Sequence, residues 1–193
     1  MERLERPQRD VLVLMESIEI VCDLTLRERG VLAEIAEIVR CPGGEVVYQA
    51  GEPGRHLYCV LKGRMALRAT TAPGMTFTVR EVTPGKSAGI DAVLNQSLHH
   101  MTCHAAEHLA ALRFSTAKLH HLLGLGNPAA VKLFVALRAE LSGQLREATP
   151  HFVQLLSEAS RHAGNATPAP SPGLAHSLIE SIAIPAGNPS RRG

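Results

Sequence analysis

Hydrophobic positions follow a helical period near the start of the chain and a strand pattern beyond about residue 38. Over residues 8–22 the apolar side chains recur at helical spacing, which predicts an amphipathic helix. A second helix is predicted to begin after Thr25, because Thr25 can cap it and Glu28 follows three residues later as the partner in a capping box. The chain is therefore expected to open with helices and to continue into a β domain.

Seven short strands are predicted in the middle of the chain, each ended by a glycine or proline turn. They cover residues 38–42, 45–49, 56–61, 64–68, 75–82, 100–105 and 109–114. Short strands with turn signals at this spacing are typical of a sandwich or barrel and not of a parallel sheet with crossover helices.

The helical period returns at Ser115, where a short helix is predicted, and again at Asn127-Pro128, where a cap and a first-turn proline start a long helix. Pro150 is expected to kink or end that helix. We divide the chain into four parts: an N-terminal helix over 1–23, a β-roll over 24–126, C-terminal dimerisation helices over 127–162, and a flexible Pro/Gly-rich tail over 163–193.

The order of elements and three glycine-containing stretches resemble the cyclic-nucleotide-binding domain family of catabolite-activator and Fnr-like regulators, kinase regulatory subunits and gated channels. Pro42–Glu52 matches the family stretch PxGxxxxxxGE, Leu57–Met65 matches LYxIxxGxV, and Pro84–Gly89 lies where the family has GDxFGE. The resemblance covers about residues 24–148. It implies an α+β fold: an antiparallel β jelly roll with N-terminal helices and a long C-terminal helix.

In this family a phosphate-binding cassette holds the ligand, with a Glu after its glycine for the ribose hydroxyl and an Arg about ten residues later for the phosphate. The corresponding positions here make up a degenerate ligand pocket: Gly89, Ile90, Asp91, His99, His100 and Thr102. The Glu is replaced by Ile90, with Asp91 one step late, and the Arg position falls at His99 or His100. A charge-assisted hydrogen bond contributes about 1.5–3 kcal/mol, so cyclic AMP or cyclic GMP is expected to bind weakly or not at all.

Histidines and a cysteine cluster within ten residues of the cassette: His99, His100, Cys103, His104 and His108. A metal could use His100 with His104, or His99 with Cys103, but the spacing matches no zinc pattern. Surface or pocket-lining histidines are the favoured interpretation, and we predict no metal and no cofactor.

Charge and composition exclude several classes of function. Lys and Arg number 20 against 18 Asp and Glu, and this net charge of +2 gives no broad case for nucleic acid or for an anionic membrane. The four cysteines are scattered, as expected of a cytoplasmic protein. No catalytic motif is present, so we predict no enzyme, and no basic recognition helix follows the long helix, so we predict no DNA binding by the usual helix-turn-helix route.

The remaining apolar surfaces indicate partners. The long helix is predicted to form a homodimer through Phe134, Leu137, Leu141 and Leu145, although this stripe could instead pack on its own β-roll. An apolar island in the tail is predicted to bind an unidentified protein, although it could equally strap back on its own domain or dimer mate. Its residues are Leu178, Ile179, Ile182 and Ile184.

Three functions follow from these features. The first is a non-enzymatic regulatory or scaffold protein that keeps the cyclic-nucleotide-binding fold and acts through protein contacts. The alternative is a sensor of a cyclic nucleotide or another small anion that signals to a partner protein, and a further alternative is a metal or redox sensor. The residues do not indicate the partner or the pathway.

Overall fold

The structure is a computed structural model, and it describes residues 2–4, 8–71 and 74–163 of the 193-residue chain. The chain divides after Glu147 into two units, and apart from the span of the last helix the account below concerns the first unit. Among the described residues no single helix is long and apolar enough to cross a membrane, and α4 with Pro128–Pro150 meets that length and hydropathy only as a pair bent by 118°.

The N-terminal helices are shorter than predicted. Helix α1 covers Gln8–Met15, a 3-10 turn follows at Glu19–Val21, and α2 covers Leu26–Ala33. The single helix predicted over 8–22 is therefore broken, and at the break the Ser17 hydroxyl donates to the Leu14 carbonyl at 2.8 Å, taking an acceptor that a continuing helix would use.

The predicted capping box at the start of α2 is confirmed. The Glu28 amide donates to the Thr25 hydroxyl at 3.3 Å, and the Thr25 amide donates to the Glu28 carboxylate at 2.9 Å. These two bonds satisfy amide groups that the first turn of a helix leaves without partners.

All seven predicted strands are present, and the structure adds short strands at each end of the sheet that contains them. The nine strands are β1 Glu2–Leu4, β2 Ala36–Cys41, β3 Val46–Tyr48, β4 His56–Lys62, β5 Met65–Thr70, β6 Thr76–Val82, β7 Ser87–Ala88, β8 Thr102–Ala105 and β9 Leu109–Ser115. They form two antiparallel sheets, one in the order β1-β2-β9-β4-β7 and one in the order β3-β8-β5-β6. The predicted jelly roll is confirmed.

The turn between β4 and β5 needs a glycine. Gly63 has φ = 81°, and a Cβ there would lie 2.3 Å from the His108 carbonyl oxygen. Only a residue without a side chain can adopt this backbone conformation and this approach. The predicted glycine of the LYxIxxGxV stretch is thereby explained by the fold and not by a ligand.

Three helices accompany the second half of the roll. They are α3 Ile90–Asn95, α4 Thr116–Gly124 and α5 Pro128–Ala163. Helix α3 was not predicted. The predicted long helix does not end at Pro150, because α5 continues through this residue. Pro150 is exposed, so water can hydrate the carbonyl that loses its backbone partner.

Two hydrophobic clusters form the core on either side of the five-stranded sheet. One lies between the sheets and includes Tyr58 and Val60, and the other lies between the five-stranded sheet and the helices and includes Leu57 and Cys59. Strand β4 alternates between the two clusters, which explains why its sequence is almost continuously apolar. The helices are thereby held against the sheet that carries β7 and the cassette.

Candidate functional site

Residues 87–102, which we call the cassette, run from β7 through α3 to β8. Gly89 begins α3 with φ = 84°, and a Cβ there would lie 3.0 Å from the His56 carbonyl oxygen and 3.5 Å from His99 Cε1. The glycine is thus required both by its backbone conformation and by the closeness of His56 and His99. Gln96 closes α3 in the left-handed conformation with φ = 50°.

Ile90, at the position of the family glutamate, does not contribute a polar group to the cassette. Its side chain is almost fully buried in the cluster between the sheet and the helices, together with Val93 and Leu57. A carboxylate at this position would be buried among aliphatic groups without a partner, which is costly.

His99, at the position of the family arginine, is buried with 5% of its surface exposed. Its ring stacks on Tyr48 with the ring centroids 3.8 Å apart and an angle of 15° between the planes. Its backbone is fixed as well, because its amide donates to the Glu52 carbonyl at 2.9 Å and its carbonyl accepts from the Gly51 amide at 2.8 Å. Burial lowers the pKa of His99, and the carboxylates of Asp91 and Glu52 oppose this shift only in part. The ring is therefore neutral near pH 7.

The His99 ring is the end of a row of four aromatic rings, which we call the aromatic row: His56, Tyr58, Tyr48 and His99. Tyr48 lies 5.9 Å from Tyr58, and Tyr58 lies 5.9 Å from His56, measured between ring centroids. Burial raises the pKa of Tyr48 and of Tyr58, and it lowers the pKa of His56. Uncharged rings thus fill the space beside Gly89.

The other predicted pocket residues lie elsewhere. Asp91 and His100 are on the surface, with His100 Nε2 and Asp91 Oδ2 4.0 Å apart. Thr102 is half-buried, and its hydroxyl accepts from the Ala50 amide at 3.1 Å, so it ties the cassette to the loop after β3. Of the six predicted residues, only Gly89 and His99 lie together in the interior.

Tyr48, Arg80 and Glu140 were missed in the sequence. Arg80 on β6 donates from Nη2 to the Ser87 carbonyl at 3.1 Å, and Glu140 on α5 accepts from the Ser87 amide at 3.1 Å. The alternation of β6 could have placed Arg80 on the same face as the buried Val82, whereas the role of Glu140 depends on a contact between distant parts of the chain. Burial lowers the pKa of Arg80, and the Glu140 carboxylate opposes that shift. The cation nearest to the cassette is therefore already engaged by its own chain.

A cavity of about 480 Å³ lies beside this contact, between the 3-10 turn, β6 and α5, and it is lined in part by Arg80, Glu140 and Glu147. Two others, of about 730 Å³ and 450 Å³, lie near Cys41 and near His120. None of these three cavities is lined by Tyr48, Gly89 or His99. The ring stack takes up the place at which the family binds its ligand.

The predicted metal pairs are not assembled into a larger set. No group of three His, Cys, Asp or Glu side chains among the described residues could hold a metal ion. His104 lies in the β8 ladder opposite Val46 and Ala66. Burial raises the pKa of the Cys103 thiol to about 12, which disfavours the thiolate that would bind a metal or react with an oxidant.

The predicted dimer residues on α5 separate into two groups. Phe134 and Leu137 are buried in the core of their own chain, and the Phe134 ring meets His120 edge to face with centroids 5.0 Å apart. Leu141 packs partly against the same core, while Leu145 is exposed. The stripe of Phe134 and Leu137 is therefore covered by its own roll, because α5 lies against the five-stranded sheet. The predicted tail residues Leu178, Ile179, Ile182 and Ile184 lie outside the described residues.

Residues 38–124 match the family model of the cyclic nucleotide-binding domain, a segment that begins within β2 and ends with α4. The chain therefore carries a domain of the cyclic nucleotide-binding family. It is also 25% identical, over 113 residues, to a cAMP-dependent protein kinase regulatory subunit of Dictyostelium discoideum. That match covers 57% of this chain and 35% of the relative, so the chain spans about a third of the relative's length.

Solved structures show the same fold. A cyclic nucleotide-binding domain of Methylobacillus flagellatus superposes with a TM-score of 0.66 at 18% identity, over 76% of this chain and 83% of that one. The regulatory subunit of a cAMP-independent protein kinase A of Trypanosoma cruzi, bound to guanosine, superposes with a TM-score of 0.57 at 19% identity, over 72% of this chain and 50% of that one.

Proposed function

We propose that this chain is a non-enzymatic regulatory domain that keeps the cyclic-nucleotide-binding fold but does not bind cyclic AMP or cyclic GMP in the usual way. The observation that carries the proposal is the His99 ring, which is buried, neutral and stacked on Tyr48 at the position of the phosphate-binding arginine. A cyclic phosphate placed there would meet no counter-charge and would have to displace the ring.

The size of the effect follows from the contacts that are lost. A guanidinium grips a phosphate through two charge-assisted hydrogen bonds, each contributing about 1.5–3 kcal/mol. Their absence weakens binding by about 3–6 kcal/mol, which is roughly two to four powers of ten in affinity. Arg80 does not substitute for them, because it donates to the Ser87 carbonyl and lies near the Glu140 carboxylate.

The variant His99→Arg tests this proposal against the matched control His100→Arg. Both changes add a guanidinium to adjacent residues, but position 99 faces the interior and position 100 lies on the surface. With cyclic AMP added, the melting temperature is expected to rise for His99→Arg and to stay unchanged for His100→Arg and for the native chain. Ile90→Glu is not combined with it, since that carboxylate would be buried in the apolar core.

Two results would contradict the proposal. One is a native chain that binds cyclic AMP tightly, and the other is a gain that is equal in the two arginine variants. Melting of each variant without nucleotide shows whether it is folded, so a His99→Arg chain that unfolds at low temperature can be recognised and replaced by His99→Lys.

A neutral ligand is the second candidate function. The Trypanosoma cruzi regulatory subunit is described as cAMP-independent and holds guanosine, a nucleoside without a phosphate. A cassette without a counter-charge suits such a ligand better than a cyclic phosphate, and the flat face of Tyr48 could stack on its base once the His99 ring has moved aside. A melting temperature that rises with guanosine and not with cyclic AMP would support this function, and the absence of any rise would refute it.

We further propose that the domain acts through protein contacts and forms a homodimer through the exposed side of α5. Val131, Val135 and Leu145 are the large apolar residues exposed on the part of α5 that precedes Pro150. Their spacing, with Arg138 and Ser142 between them, alternates four and three residues, as in a coiled-coil seam. Val135→Glu is expected to convert a dimer into a monomer in light-scattering measurements, whereas the exposed Leu125→Glu leaves the mass unchanged.

A further inference from the structure

The interior of the cassette is closed by one side chain whose charge depends on pH. His99 is buried, yet none of the hydrogen bonds among the described residues involves its ring, so stacking on Tyr48 and burial alone hold the ring in place. Both backbone hydrogen bonds of His99 leave the side chain free to rotate about its own bonds. The ring can therefore leave the stack without any change in the strands.

Charged and titratable groups face this ring from each element packed against it. They are Glu52 on the loop after β3, Asp91 on α3, the adjacent His100, and His56 on β4, while Tyr48 on β3 and Cys103 on β8 are uncharged at neutral pH. The two carboxylates attract an imidazolium, and the two histidines repel it once they are protonated. No carboxylate is listed within ion-pair distance of His99, so a protonated ring in its present position would be buried without a partner.

Two effects compete when the ring gains a proton. Stacking of a cation on a tyrosine is favourable, but burial of a charge shifts pKa values by several units, which is the larger effect. The direction of the shift at His99 agrees, since burial is its largest cause and lowers the pKa. The protonated ring is therefore more stable near the half-exposed carboxylate of Asp91 than in the stack.

We propose that His99 is a pH-operated plug: protonation of its ring breaks the stack on Tyr48 and opens the interior of the cassette. The proposal rests on the proposed function only in that both assign a neutral, buried ring to position 99. It differs in what it predicts, because the opening requires acid and no ligand.

The chain contains its own probe for this movement. It has no tryptophan and two tyrosines, and both Tyr48 and Tyr58 belong to the aromatic row. In the variant Tyr58→Phe, the tyrosine fluorescence of the folded chain comes from Tyr48 alone, whose ring touches His99. Quenching of that fluorescence by acrylamide measures how far the Tyr48 ring is exposed to solvent.

The test is a titration of Tyr58→Phe from about pH 7.5 to about pH 5 with the acrylamide quenching constant as readout. The constant is expected to rise at least twofold in one step with a midpoint below about pH 6.5, the ordinary pKa of histidine. The step is expected to vanish when His99→Gln is added and to persist when His100→Gln is added, since the latter removes the adjacent exposed ring.

Three outcomes would overturn the proposal: a quenching constant that does not change with pH, a step that survives His99→Gln, and a step that His100→Gln abolishes. Far-ultraviolet circular dichroism of the same samples separates opening from unfolding. Loss of the helical signal at the same midpoint would show that His99 titrates on unfolding, and this too would overturn the proposal. None of these readouts involves a nucleotide, so their failure is distinct from a failure of the proposed function.

Discussion

The packing of α5 predicts a large difference between two leucines eight residues apart. Leu137 is fully buried, with 0% of its surface exposed, in the cluster between the sheet and the helices, whereas Leu145 is 63% exposed. Leu137→Ala removes a buried side chain and leaves a cavity, which costs about 2–5 kcal/mol. Leu145→Ala removes an exposed one and is expected to change the free energy of unfolding by no more than about 0.5 kcal/mol.

The assay is unfolding in urea, followed by circular dichroism at two protein concentrations that differ by about two powers of ten. A cost at Leu137 that is independent of concentration shows that the residue stabilises its own chain. The reasoning is refuted if Leu137→Ala costs less than about 1 kcal/mol, or if its cost disappears on dilution, since the residue would then belong to an interface between copies.

The other predictions concern local features of the fold. Gly89→Ala introduces a Cβ at positive φ against a carbonyl oxygen and is expected to cost about 1–3 kcal/mol in urea unfolding, whereas Gly124→Ala, at a helix end with open space, is expected to be neutral or stabilising. Thr25→Ala removes the capping box and is expected to cost about 1 kcal/mol in the same assay; no loss would show that the cap is not formed. Because burial lowers the pKa of His99, the unfolded chain binds the proton more readily, so this contribution to stability is complete above about pH 6.5 and is lost as the pH falls through the folded-state pKa. Urea unfolding at about pH 7.5 and about pH 5.5 should show a decrease that is smaller in His99→Gln, and an equal decrease in both chains would contradict the assignment.

Local signals in the sequence were sufficient for the strands and for the helix starts. The capping box at Thr25 and the cap of α4 at Ser115 depend on residues within one turn, and the glycine turns divide the strands. The cassette glycine and the histidine at the arginine position were also placed correctly, because the spacing of the family motif is kept. Such features are encoded within short stretches of chain.

Features that depend on contacts between distant residues were not predictable in the same way. The stripe containing Phe134 and Leu137 is apolar whichever surface covers it, and only the packing of α5 shows that its own roll does so. Likewise Tyr48 meets His99 from a strand fifty-one residues earlier, and Glu140 reaches Ser87 across fifty-three residues. The content of the cassette is decided by these long-range contacts.

The most direct test of the central claim is calorimetric titration of the native chain with cyclic AMP at about pH 7.5. We expect no saturable heat up to about 1 mM nucleotide, because the ring of His99 supplies no charge and occupies the place of the phosphate. Saturable binding with a Kd near 1 μM, lost in His99→Gln and retained in His100→Gln, would contradict the account.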